Sequence, residues 1–261
     1  MSIRKKILAI SIGPVLVLGV ITLLFMLTMV KSSLMDEVQD ALKGTAAATL
    51  AAYDQNTGDY LESTNGDIWK GSYNISKSES LVDRIKENTG MDVTFFYGNK
   101  RIMTSALDKK GNRILGSEAG ERVVNQVIKG KKPFFSTNVS LDGTRNYGYF
   151  IPVYQNGTTD QVIGMVFVGT NKAQKDAIVN KILGSIMMAL LVVMFLCIVT
   201  AMRMAASISK NIKNSVAVVG KLADGDLNVW VDEKLLKRKD EIGDLSRGTC
   251  LLYTSPSPRD G

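Results

Sequence analysis

Two stretches of this sequence set cationic and hydroxyl side chains among apolar and β-branched neighbours. Arg101, Thr104 and Ser105 fall in one, and Arg145, Tyr147 and Tyr149 alternate along the other. In an extended chain every second side chain shares a face, so the second trio points one way. A guanidinium presents a planar fork of donors that fits a carboxylate, and hydroxyls orient what the charge holds. These six residues are the candidate lining of a pocket for a small anion, with Arg101 and Arg145 as its charge partners. The competing role is structural: arginines on half-exposed strands are commonly solvated, and strand tyrosines commonly pack. Arg113, next to Gly111-Asn112, suits a plain turn. Asp92 and Asp108 have the charge to bind an amine, but lone acids near turns are ordinary surface residues.

Other chemistry is scarce. The 261 residues include no histidine, the commonest general base and metal ligand, and only two cysteines. Cys197 lies inside an apolar run and Cys250 in the tail, which makes a disulfide between them implausible. There is no Cys/His cluster, no nucleophile beside its base and no phosphate-cradling glycine loop. The expectation is a non-enzyme with no cofactor and no metal. The net charge of +7 invites a nucleic-acid reading. Residues 31–181, however, carry 19 basic against 17 acidic side chains, and much of the excess is Arg4, Lys5 and Lys6. That is membrane topology rather than a phosphate-binding face, so nucleic acid is not an expected partner.

The elements that position the candidates follow from periodicity. Leu34, Val38, Ala41, Thr45, Ala48 and Ala52 form a helical stripe whose later half is small. It predicts a long helix that serves as a dimer seam, packs on its own domain, or does both along different parts. Loops are expected around Trp69. A second helix is expected over 80–88, with Ser78 as its cap and Thr89-Gly90 ending it. The pattern then changes to period two. Strands are predicted over 91–97, 101–106, 134–139, 146–154 and 161–170, with turns at Gly98-Asn99, Lys110-Gly111-Asn112, Asp142-Gly143 and Asn156-Gly157. A helix is expected over 118–128 and another from 172 onward. The fold class is α+β, built on an antiparallel five-stranded sheet.

Two runs, 7–30 and 182–202, contain no charged residue. Crossing a hydrocarbon core takes about 20 apolar residues, so both qualify as transmembrane helices. The first is too long for a signal-peptide core, and no small-residue cleavage site follows it. Arg4, Lys5 and Lys6 before the first span, and Arg203, Lys210 and Lys213 after the second, put both ends in the cytoplasm. The expected organisation is a cytoplasmic N-terminus (1–6), a span (7–30), an extracytoplasmic domain (31–181), a second span (182–202), a helical relay (203–246) and a tail (247–261). The location is the inner or plasma membrane. In the relay, Ile208, Ile212, Ser215, Val219 and Leu222 make a heptad seam, Gly225 ends it, Val229 and Val231 alternate in a connector, and Asp240 to Leu245 begins a second helix. The tail, with two glycines and two prolines in Gly248 to Gly261, cannot continue a helical seam, and is expected to be non-native or disordered.

The stretches Asp92-Val-Thr-Phe-Phe-Tyr, Arg101-Ile-Met-Thr-Ser, Gly148-Tyr-Phe-Ile-Pro-Val-Tyr and Ile163-Gly-Met-Val-Phe-Val-Gly resemble the single Cache sensor domains, PAS-like in fold, of bacterial methyl-accepting chemotaxis proteins. Ala223-Asp-Gly-Asp-Leu and Asp240-Glu-Ile-Gly are similar to markers of a HAMP linker, although the usual proline near the start of the first HAMP helix is missing from Ser209-Lys-Asn-Ile. The resemblance implies a homodimeric receptor that binds a small extracellular ligand in a pocket of the sheet. It also implies a signalling domain, coupled to a histidine kinase, that would follow the relay. The same span–sensor–span–HAMP plan fronts sensor histidine kinases and cyclic-dinucleotide enzymes. An adhesion or structural membrane protein is a third possibility, one that would have no need of a relay.

Overall fold

The computed structural model describes residues 3–224, 233–237, 239–240, 243–244 and 246–248. The chain divides into two compact units, one holding Met26–Gly184 and the other Met1–Phe25 with Ser185–Gly261.

In the first unit, helix α2 (Lys31–Asp54) follows a π-helical turn, Met26–Val30. A meander of three short antiparallel strands comes next: β1 (Tyr60–Glu62), β2 (Ile68–Lys70) and β3 (Tyr73–Asn74). Loops were expected there, and strands of two or three residues are too short to show a period in sequence. Gln155 clamps the meander, accepting from Tyr60 N–H at 2.8 Å and donating to Tyr60 O at 3.0 Å. Helix α3 (Glu79–Thr89) ends at Gly90, which has φ 69°. Ser78 stands at its start but does not cap it through the side chain. Its hydroxyl donates to Ile75 O instead and pairs with the Tyr53 hydroxyl at 2.9 Å.

The five-stranded sheet runs β4 (Asp92–Tyr97), β5 (Lys100–Thr104), β6 (Phe134–Leu141), β7 (Thr144–Tyr154) and β8 (Val162–Asn171). Its spatial order is β5-β4-β8-β7-β6, and every pairing is antiparallel. The strand periods and the Asp-Gly turn are where the sequence placed them. Asp142 (φ 45°) and Gly143 (φ 75°) both take the positive φ that a tight hairpin turn requires. The helix expected over 118–128 is instead one α-helical turn (Glu121–Val123) followed by a π-helical segment, Val124–Lys129.

Helix α2 lies on β7 and β8. Its buried residues are Leu42, Ala46, Thr49 and Tyr53. The packing stripe is thus displaced one position from the one expected: Ala41 and Ala48 are exposed, and Leu34, Val38, Thr45 and Ala52 are half-buried. Leucine and tyrosine decide the face, because they bury far more apolar surface than alanine. The core on this side joins α2, the meander, α3 and the sheet through Tyr53, Tyr60, Ile75, Val82, Phe95 and Val168. The last helix, Lys172–Ala223, starts at the residue after β8, and Val179 and Leu183 in its first turns are buried.

In the second unit, the first helix, α1 (Ile3–Phe25), and the later part of the Lys172–Ala223 helix carry the apolar runs. The helical stretches Lys5–Asp54 and Lys172–Lys221 each contain a window long and apolar enough to cross a membrane, and only 6 % of each window is buried. Leu18, Phe25, Met188 and Phe195 are among the exposed apolar side chains. The core helix of a soluble domain hides such residues. Gly19 packs on Met194, so a side chain at Gly19 would strike that sulfur. Of the expected relay seam, Ser215 is buried, Ile208 and Ile212 are half-buried and Val219 is exposed. The helix ends at Ala223. The side chain of Leu222, and residues 225–232, 241–242, 245 and 249–261, which carry most of the HAMP markers and the tail, lie outside the described residues.

Candidate ligand cavity on the open face of the sheet

Successive residues of a strand face opposite sides of a sheet. On β7, Tyr147 and Tyr149 face α2 and belong to its core. Phe150 faces the other side, where it clusters with Phe96, Val127, Met165 and Phe167. That second side is not fully covered. It holds a cavity of about 490 Å³, within the range of small-molecule sites. Its floor is buried: Phe96, Arg101, Phe150 and Phe167. Its rim is exposed and polar, with Glu118, Arg122, Thr137, Asn138 and Ser140.

Two bulges shape this cavity. Phe95 pairs with Met103 but Phe96 pairs with Arg101, so β5 carries one extra residue. Arg101 and Met103, two positions apart, consequently serve opposite faces: Met103 joins the α2-side core and Arg101 the cavity. On β6 the register shifts between Ser136 and Val139, and Thr137 and Asn138 bulge out beside the cavity.

Arg101 is only 7 % exposed. Its guanidinium stands 5.4 Å from the centroid of the Phe96 ring. Nη1 donates to Ile114 O over a long 3.4 Å, and Nε is buried without a hydrogen-bond partner. Burial pulls its pKa below the ordinary value, and Asp92 works in the opposite direction; an arginine nonetheless stays charged. A desolvated, under-satisfied guanidinium facing a cavity has capacity to spare for an anion.

The structure does not bring the six candidate residues together, and only Arg101 lines the cavity. Thr104 shares a 2.7 Å hydrogen bond with Thr94 across the β4–β5 pair. Ser105 accepts from Val93 N–H at 2.9 Å and donates to Asp92, which Lys86 also engages at 2.8 Å. Arg145 is exposed. Tyr147 stacks on Phe135, donates to Asp176 at 2.6 Å and accepts from Lys172 at 2.9 Å, tying β7 to the first turn of the last helix. Tyr149 packs in the α2-side core. The second trio does share one face, as its spacing predicts, but that face is the one α2 covers. Arg113 is no plain turn residue. It donates twice to Asp83 of α3, one arm at 2.8 Å, and to Thr104 O at 2.7 Å, and so anchors the segment whose Ile114 carbonyl meets Arg101. Sequence reading missed the phenylalanine floor, because a phenylalanine in a strand signals core whichever face it takes. It also missed the rim residues at the β6 bulge. Among the described residues, no three acidic, cysteine or histidine side chains are grouped to hold a metal.

Comparison with known proteins bears on this domain. No curated protein matches the chain. Among solved structures, an extracellular ligand binding receptor from Desulfohalobium retbaense is similar over 56 % of this chain, at 15 % identity and a TM-score of 0.40. The match spans 25 % of that structure's own length. Residues 73–182 match the family Single cache domain 3, a stretch that takes in all five strands of the sheet and the whole cavity.

Proposed function

We propose that this chain is a transmembrane receptor whose Cache-like domain binds a small anionic ligand, a carboxylate, outside the cell, with Arg101 as the charge partner. The observation that carries the reading is Arg101 itself: a buried guanidinium with an unpartnered Nε on the floor of a cavity of ligand size. The family match over the same residues supports a sensor role. The two exposed apolar helical stretches support a membrane setting, with both ends cytoplasmic by their basic flanks. In this reading the receptor is a homodimer of the methyl-accepting chemotaxis type. The Lys172–Ala223 helix passes the binding event to a HAMP-like relay, and the chain itself catalyses nothing.

Ligand shifts such a receptor only by its differential affinity for two states. The test is to screen small carboxylates against the full chain in lipid nanodiscs by thermal shift, where a bound ligand raises the melting temperature. A response that Arg101→Gln removes and Arg145→Gln retains is expected. A response indifferent to Arg101 would overturn the site. Joining the relay helix to the output domain of a chemotaxis receptor tests the wider role: the chimera should respond to the same ligand.

A further inference from the structure

We propose that the cavity selects a singly charged anion with a flat apolar body, the charge seated at Arg101 and the body lying on Phe167, whose height is set by Gly148 and Gly169. This deepens the reading above and rests on it.

The floor contains one charged group among the described residues, Arg101, surrounded by three buried phenylalanines. A second carboxylate reaching that floor would lose its hydration with no cation to offset the loss. A neutral ligand offers the Arg101 Nε at most an uncharged acceptor, a weaker partner for a desolvated guanidinium than a carboxylate. At the rim, Arg122 and Glu118 are exposed and opposite in sign, and Arg122 lies over Phe134 at 5.5 Å, so water screens what charge they offer. The floor thus specifies one negative charge next to an apolar group.

The shape of that apolar group follows from a glycine pair. Gly148 and Gly169 are register partners on β7 and β8, followed and preceded by the register pair Phe150 and Phe167. A Cβ on Gly148 would come within 2.5 Å of Phe167 Cε2 and 2.8 Å of Val139 Cγ2, and a Cβ on Gly169 would strike the same phenylalanine ring. The Phe167 ring therefore lies down over both glycines, where no other residue leaves it room, 4.7 Å from the ring of Phe150. The two rings make a low apolar platform instead of filling the space above it.

The experiment measures affinity of the full chain in nanodiscs for phenylacetate, succinate and 2-phenylethanol. Phenylacetate is expected to bind about tenfold tighter than either of the others, the least that one charge-assisted hydrogen bond supplies. Arg101→Gln should bring phenylacetate down to the level of 2-phenylethanol. Gly148→Ala raises the platform and should weaken phenylacetate about tenfold. Because that variant disturbs a packed contact, Phe167→Leu provides the independent measurement: it lowers the platform and should turn preference toward 2-naphthylacetate by a similar factor. Succinate or 2-phenylethanol binding as tightly as phenylacetate, no binding of phenylacetate, or an unchanged naphthyl preference in Phe167→Leu overturns the proposal. Succinate binding that Arg101→Gln abolishes would overturn this ligand class and leave the anion site standing. No response to any carboxylate would overturn both.

Discussion

The two faces of the five-stranded sheet use their polar groups in opposite ways. On the α2 side, the polar groups at the heart of the core are paired, with Asn74 Oδ1 in the meander the exception: the Tyr53 hydroxyl pairs with Ser78, the Tyr60 hydroxyl donates to Asp54, and the nearly buried Lys70 reaches Asp54 at 3.2 Å while lying 4.1 Å from the Tyr60 ring centroid. Burial raises the pKa of both tyrosines above its ordinary value, which keeps them as neutral donors. On the other side, phenylalanines without polar atoms surround an arginine whose Nε has no partner. Satisfied polar groups under a helix specify one packed arrangement. An unsatisfied one beside a cavity is a cost in the empty protein that a ligand removes.

The sharpest contrast lies in aromatic truncation. Phe95 is fully buried against Tyr53 (5.2 Å between centroids) and Tyr60 (5.8 Å). Phe95→Ala should cost about 3–5 kcal/mol in thermal unfolding. Phe134, half-buried by the cavity, should cost only ~1–2 kcal/mol as alanine, since it gives up less buried apolar area. Equal losses would mean the cavity side is packed as tightly as the α2 side.

Next come substitutions whose signs should differ. Tyr53→Phe removes the buried bond to Ser78, whose hydroxyl keeps Ile75 O, and should lose about 1 kcal/mol. Arg101→Met removes a desolvated, under-bonded charge and should leave the empty protein as stable or more stable by ~1 kcal/mol, while its anion response disappears. A ligand-free Arg101→Met protein that melts well below wild type would place Arg101 with the structural residues. Tyr147→Phe gives up the hydroxyl's bonds to Asp176 and Lys172 and should cost about 0.5–1.5 kcal/mol.

The smallest effect is a pH dependence at the clamp behind the cavity wall. Hydrogen bonds from Arg113 hold the Asp83 carboxyl below its usual range, against a smaller opposing effect of burial. A depressed folded-state pKa stabilises above the unfolded value and is lost as pH falls through the folded one. The difference in stability between wild type and Asp83→Asn should therefore be present at neutral pH and fade below about pH 4. With 42 % of the Asp83 side chain exposed, it should amount to only ~0.5 kcal/mol. A difference that grows on acidification would show that the clamp works otherwise.

Much of this architecture is written locally. Alternation of β-branched and aromatic residues marks β4 to β8, and Asp142-Gly143 marks its turn, because strand and turn chemistry act within a few residues. What escapes sequence depends on a partner far along the chain. Arg101 is conspicuous as a cation in an apolar strand, yet strict alternation places it on the face of Met103, and only the extra residue in β5 turns it to the other side. Tyr147 and Tyr149 share a face, but which face α2 covers is decided by Leu42 and Tyr53, some hundred positions earlier. The aromatic floor was hidden for a simpler reason. A buried phenylalanine beside a cavity and one in a sealed core have the same neighbours in sequence.

Strand β8 ends at Asn171 and the long helix begins at Lys172, with no residue between them. Phe167 lies four residues before that junction, and the Tyr147–Lys172–Asp176 bonds lash the helix's first turn to the neighbouring strand. Mechanically, the joint has no slack. A flexible connection would let a small tilt of the floor dissipate in loop motion. A direct weld, braced across two strands, makes the first turn of the helix move with the floor, so that any displacement of Phe167 is passed to the start of the helix.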